Sequence, residues 1–164
     1  MTHRPLKLCC LALAGLLLIN AVVAHEPKSA ASVSTSLPLA AKPAAEVVDR
    51  FHAALKRGDA ASAASLLAAA APIFESGGVE RSKAEYASHH LAADAAFASA
   101  TTHTMTRRSG SAVGDFAWIA TEGTTTGTYK DRVINSVSTE TMVLRRANGA
   151  WQIVHIHWSS AKAK

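Results

Sequence analysis

From Ala44 the apolar residues Val47, Val48, Phe51, Ala54 and Leu55 recur every three or four positions, the spacing that gathers side chains on one face of a helix. Gly58 in "KRGD" can close that helix and Asp59 can cap the next, which runs through "AASAASLLAAA" until Pro72. "PIFES" predicts a short strand leading to a turn at Gly77-Gly78. A third helix is expected over "SKAEYASHHLAADAAFAS", where Ser82 and Glu85 stand in a capping-box arrangement and Tyr86, His89 or His90, Ala93 and Phe97 fall at core spacing. After Ala100 the character changes to Thr, Val, Ile and Trp, broken by turn signals near Gly114-Asp115, near Lys130-Asp131 and at Asn148-Gly149. Four strands in an antiparallel meander follow from it.

Asn148-Gly149 is a strong two-residue hairpin signal, and such a loop fixes register. Counting back from it pairs Ala147 with Ala150, Arg146 with Trp151, Leu144 with Ile153, Met142 with His155 and Glu140 with His157. Strict alternation then puts Trp151, Ile153, His155 and His157 on one face of the last strand, together with Glu140 and Met142. A carboxylate beside an imidazole raises its pKa and orients its tautomer, one ingredient of an acid-base site. The opposite face would carry Val143, Val154, Ile156 and Trp158, an apolar stripe that a second copy of the chain would cover.

The first 24 residues follow a different pattern. Arg4 and Lys7 precede the apolar run "LCCLALAGLLLINAVVA", which ends in small residues at Val22-Val23-Ala24. That predicts a signal peptide over 1–24 and a periplasmic or secreted protein. An uncleaved anchor is the competing reading, and the run falls short of the roughly 20 residues that span a bilayer. Cys9 and Cys10 lie at the start of the apolar run instead of at its end, which argues against a lipoprotein. They are also the only cysteines, so the cleaved chain would have neither disulfides nor thiolate catalysis. Residues 25–43, rich in Ala, Ser and Pro, predict a flexible linker to one domain over 44–160. Loss of Arg4 and Lys7 takes the formal charge from +5 to +3. The paired arginines Arg107-Arg108 and Arg145-Arg146 lack interleaved aromatics and read as solvated strand edges, so no nucleic-acid partner is expected.

The order helix, helix, short strand, long helix and twisted sheet resembles the cone-shaped, α+β fold of the nuclear transport factor 2-like superfamily. In it three N-terminal helices pack on a curved, mostly antiparallel sheet. "EVVDRFHAALKRGDAASAASLLAAAAPIFESGG" is similar to the opening of ketosteroid isomerase homologues and SnoaL-like proteins, and "VLRRANGAWQIVHIHWS" to the last hairpin of the SnoaL-like branch. The resemblance implies a pocket between the helices and the sheet. In the isomerases a carboxylate base follows the first strand, while a tyrosine of the first helix and a protonated acid on a late strand steady the enolate oxygen. Those positions fall on Glu75, Phe51 and Met142 here. Neither Phe51 nor Met142 can donate a hydrogen bond, so steroid isomerisation is not expected.

The resemblance together with the register makes Glu75, Glu140, His155 and His157 the candidate acid-base residues. Phe51, Tyr86, His90 and Met142 are the candidate pocket residues, for an unknown small and largely apolar molecule without a cofactor. A non-catalytic ligand-binding module is the second reading. Metal binding by His89, His90, His155 and His157 is the third, and no metal ligands are assigned. Adjacent helical residues diverge by about 100 degrees, so His89 and His90 are not expected to enter one site. His25, His52 and His103 read as solvated. A homodimer through the sheet is the expected assembly.

Overall fold

The computed structural model describes residues 33–164. Residues 1–24, expected as a signal peptide, and residues 25–32 of the expected linker lie outside the described residues. The elements in chain order are β1 (Ser34–Ser36), α1 (Lys42–Lys56), α2 (Ala60–Ser65), β2 (Ile73–Glu75), β3 (Gly78–Glu80), α3 (Lys83–His89) and α4 (Leu91–Ala100). The long strands β4 (Thr101–Val113), β5 (Phe116–Tyr129), β6 (Arg132–Ala147) and β7 (Ala150–Lys162) follow. One seven-stranded sheet results, in the order β1-β4-β5-β6-β7-β2-β3. It is antiparallel through β4 to β7, with β1 on β4 and β2 on β7 in parallel. β1 and a 3-10 turn at Leu39–Ala41 fall within the stretch expected as linker.

The local signals act as their chemistry dictates. Gly58 adopts φ 73 at the end of α1, and the Asp59 carboxylate accepts from Ser62 N at 3.0 Å to cap α2. Ser82 Oγ accepts from Glu85 N at 3.1 Å at the start of α3. Asn148 and Gly149 both take positive φ, and Ala147 pairs with Ala150 as expected. The β2–β3 turn is shifted by one residue from expectation, to Ser76-Gly77, and Gly78 enters β3. The expected third helix is two helices, because His90 at φ −114 interrupts it between α3 and α4.

Helix α1 lays its apolar stripe on the inner face of the sheet. Val48, Phe51, Ile119, Met142, Leu144, Ile153 and Ile156 are all fully buried there. Two β-bulges decide which residues join them. In β4, Met105 pairs with Gly123 and Arg107 with Glu122, so Thr106 is an extra residue. The alternation reverses there, and Arg108 faces inward opposite Thr121. In β7, Leu144 pairs with Ile153 but Val143 with His155, so Val154 is the extra residue. Beyond that point the register differs from expectation: Met142 pairs with Ile156, Thr141 with His157 and Glu140 with Trp158. Ile156 and Trp158 therefore turn inward, and His155 and His157 turn to the outer face.

Candidate active site

The four strands run beyond the cover given by α1 and α4, and a cavity of about 590 Å³ opens between them. Next to the core stripe of α1 runs a second one, Asp49, His52 and Lys56, at spacings of three and four residues, and all three line the cavity. The sheet contributes Arg108, Thr121, Thr125, Glu140 and Trp158, while Glu75 and Asp94 stand on the wall made by β2 and α4.

Glu140 is the centre of the arrangement. It is buried, and its Oε2 lies 2.7 Å from His52 Nε2 and accepts from Trp158 Nε1 at 2.7 Å. Its other oxygen, Oε1, is buried and has no hydrogen-bond partner among the described residues. Burial by itself would raise the Glu140 pKa, but the His52 charge and hydrogen bond, with Trp158 and Arg108, hold it below the usual value. Burial likewise works against the His52 imidazolium, and Glu140 outweighs it, so the His52 pKa is raised. The accessible part of His52 opens onto the cavity, and the Glu140 bond at Nε2 leaves Nδ1 as the nitrogen available to a ligand.

Arg108, only 7% exposed, is held by Asp49 at 2.5 Å and donates from Nε to Thr121 Oγ1 at 3.3 Å. His103 lies against Thr125 Oγ1 at 3.3 Å, and burial followed by the neighbouring His52 charge lowers its pKa. It reaches over Gly123, where any side chain would collide with its ring. On the far wall Asp94 Oδ2 accepts from the hydroxyl of buried Tyr86 at 2.7 Å. Burial raises the pKa values of both Asp94 and Glu75, and the Asp94 charge raises Glu75 further. The cavity thus has an ion pair at one side and carboxyls biased toward protonation at the other.

Of the expected site residues, Glu75 and Glu140 line this cavity. His155 and His157 do not: the Val154 bulge puts them on the outer face, where Phe74 packs edge-on against both at 4.9 and 6.2 Å. His155 is tied there by Nδ1 to Pro72 O at 3.0 Å. The partner of Glu140 is His52, not His157. Phe51 and Met142 are core residues under the cavity, and Phe51 stacks on Trp158. Tyr86 and His90 line a separate, smaller cavity of about 300 Å³ that shares Glu75 with the first. His52, His103 and Arg108 were expected in solvent and instead line the site. The polar stripe Asp49-His52-Lys56 beside the apolar one was the available signal for His52, whereas nothing in the local sequence marks the bulge that turns Arg108 inward.

The SnoaL-like domain model matches residues 44–163. No curated protein matches the chain. Among solved structures, a protein of Shewanella frigidimarina provisionally named a ketosteroid isomerase is 40% identical, with a TM-score of 0.71 over 76% of this chain and 100% of that one. A Xanthomonas campestris protein provisionally named a calcium/calmodulin-dependent protein kinase II association domain is 22% identical, with a TM-score of 0.67 over 80% and 96% of the two chains. A Streptomyces avermitilis protein provisionally named a dehydratase of the NTF2-like family is 19% identical, with a TM-score of 0.65 over 74% and 96%. With the family model spanning the folded region and these neighbours sharing its architecture, the chain belongs to the SnoaL-like domain family and has the nuclear transport factor 2-like fold.

Proposed function

We propose that the larger cavity binds a small, mostly apolar molecule bearing one hydroxyl or enolisable carbonyl, and that His52, oriented by Glu140, moves a proton on it. The observation that carries this reading is the buried Glu140 carboxylate, which holds His52 and Trp158 through one oxygen and leaves the other without a partner. A ligand O–H donating to Oε1 would complete its hydrogen bonding, since a buried acceptor left empty costs about 1–3 kcal/mol. His52 would act through Nδ1 as general acid or base, with the Arg108 guanidinium near enough to affect the charge of both partners. The names of two structural neighbours, isomerase and dehydratase, belong to the same class of proton-transfer chemistry. Steroid isomerisation is set aside because buried Phe51 and Met142 occupy the positions where oxyanion donors would stand.

The test uses 1-anilinonaphthalene-8-sulfonate as the cavity probe and deuterium exchange of a panel of small ketones as the measure of proton transfer. Wild-type protein should bind the probe and accelerate exchange, His52→Asn should lose exchange, and Trp158→Ala should weaken probe binding. Probe binding without exchange in the wild type would support the second reading, a binding module, over the catalytic one. If His52→Asn, Glu140→Gln and Trp158→Ala all bind and exchange as the wild type does, the site lies elsewhere.

A further inference from the structure

A second cluster of titratable groups sits away from His52 and Glu140, where β3 meets α3. Glu80 ends β3, and its side chain is 8% exposed although it carries a carboxylate. Oε1 is engaged by His90 Nδ1, while Oε2 has no hydrogen-bond partner among the described residues and lies 3.4 Å from His89 Nδ1. Glu85 and His89 are four residues apart on α3, so they share one face of that helix. One oxygen of Glu80, one of Glu85 and a ring nitrogen of His89 lie within 4.8 Å of one another. His90, at the break between α3 and α4, also reaches Glu80, so the two neighbouring rings meet one carboxylate.

We propose that Glu80, Glu85 and His89 bind a divalent transition-metal ion such as zinc. Two carboxylates and an imidazole form a nitrogen and oxygen set of the kind zinc accepts, at metal–ligand distances of about 2.0–2.2 Å. Such an ion needs its tetrahedral ligands about 3.4 Å apart, so the set must contract slightly. His89 at 59% exposure and Glu85 at 31% are free enough to move in, and they also leave an entry path. Glu80 is the fixed ligand, and its burial with an unpaired oxygen is the feature that a cation would resolve. His90 holds the other oxygen of Glu80 and orients the carboxylate, as outer partners of metal ligands do. Glu85 Oε2 accepts from Arg81 N at 2.7 Å, which leaves Oε1 for the ion. The Arg81 guanidinium, 3.9 Å from Glu85 and 76% exposed, can swing into solvent. The ion would pin β3 to α3 beside the smaller cavity, which His90 and Glu80 both line.

Calorimetric titration of zinc into the full chain, expressed without a histidine tag and stripped with a chelator, tests the proposal. One zinc per chain is expected, with binding lost in His89→Ala and Glu80→Gln and weakened about 10–100-fold in His90→Ala. The double variant His155→Ala/His157→Ala should bind as the wild type does. Because Glu80 is buried, Glu80→Gln is read only if its circular dichroism is native, and the exposed His89 decides otherwise. Absence of zinc binding, wild-type affinity in His89→Ala, or loss of binding in the His155/His157 variant would each overturn the assignment.

Discussion

Glu140 and His52 set each other's charge, and their linkage to stability has a definite sign. His52 has a folded pKa above 6.5, so its contribution is complete below that value and is lost as pH rises through the raised one. Glu140 has a folded pKa below 4.5, so its contribution is complete above that value and is lost as pH falls through the lowered one. The pair therefore stabilises most between 4.5 and 6.5. Replacing Glu140 with Gln removes the largest attraction and leaves burial and the Arg108 charge opposed only by the weaker pull of Asp49, so the His52 pKa should fall below 6.5 in a histidine NMR titration. A His52 resonance that titrates unchanged in Glu140→Gln would show that the two do not interact. That Glu140 lies on the pocket side of the sheet and meets an imidazole was legible in the sequence. Its partner was not, because the choice between His157 and His52 turned on a bulge and on a helix packing across the sheet, and neither leaves a mark within the hairpin itself.

At the scale of elements, the turns were legible because their chemistry is local, whereas the bulges were hidden because theirs is not. Asn148-Gly149 suits a turn with positive φ at both centres, and the first three pairs counted back from it are correct. Val154 then adds one residue, and period-two counting inverts every face beyond it. The break at His90 was equally silent, since "ASHHLAAD" carries neither Gly nor Pro. The β5–β6 turn shows local chemistry under strain: Lys130 and Asp131 both sit at positive φ, 48 and 60, where residues with a Cβ are disfavoured by about 1–2 kcal/mol. The double change Lys130→Asn/Asp131→Gly should relieve part of that and raise the melting temperature by roughly 4 °C. Thermal unfolding by circular dichroism checks it, and an unchanged or lower midpoint would mean that the turn is already relaxed.

At the scale of the molecule, the inverted register moves the surface through which two copies would meet. Ile156 and Trp158, expected on the outside, are inside against α1 and Glu140, so the stripe first assigned to a dimer contact does not exist. Another replaces it. Trp118, Val143 and His155 stand side by side on the outer face across β5, β6 and β7, with Phe74 against His155 and Phe116 one pleat along β5. Phe116, Trp118 and Phe74 keep 55%, 44% and 38% of their surface exposed, an apolar run that water covers poorly. We propose that a second copy covers it in a two-fold arrangement, so that each outer face meets its like. The two tryptophans then give opposite outcomes. Trp118→Glu should yield a folded monomer, because the charge lands on a surface that water can reach once the partner leaves. Trp158→Glu should destabilise the fold itself, because it would set a second carboxylate beside buried Glu140 in place of an N–H donor. Analytical ultracentrifugation with thermal melts of both variants separates the two roles. A wild-type protein that sediments as a monomer at micromolar concentration would leave the Trp118 face without a partner, whatever Trp158→Glu does to the core.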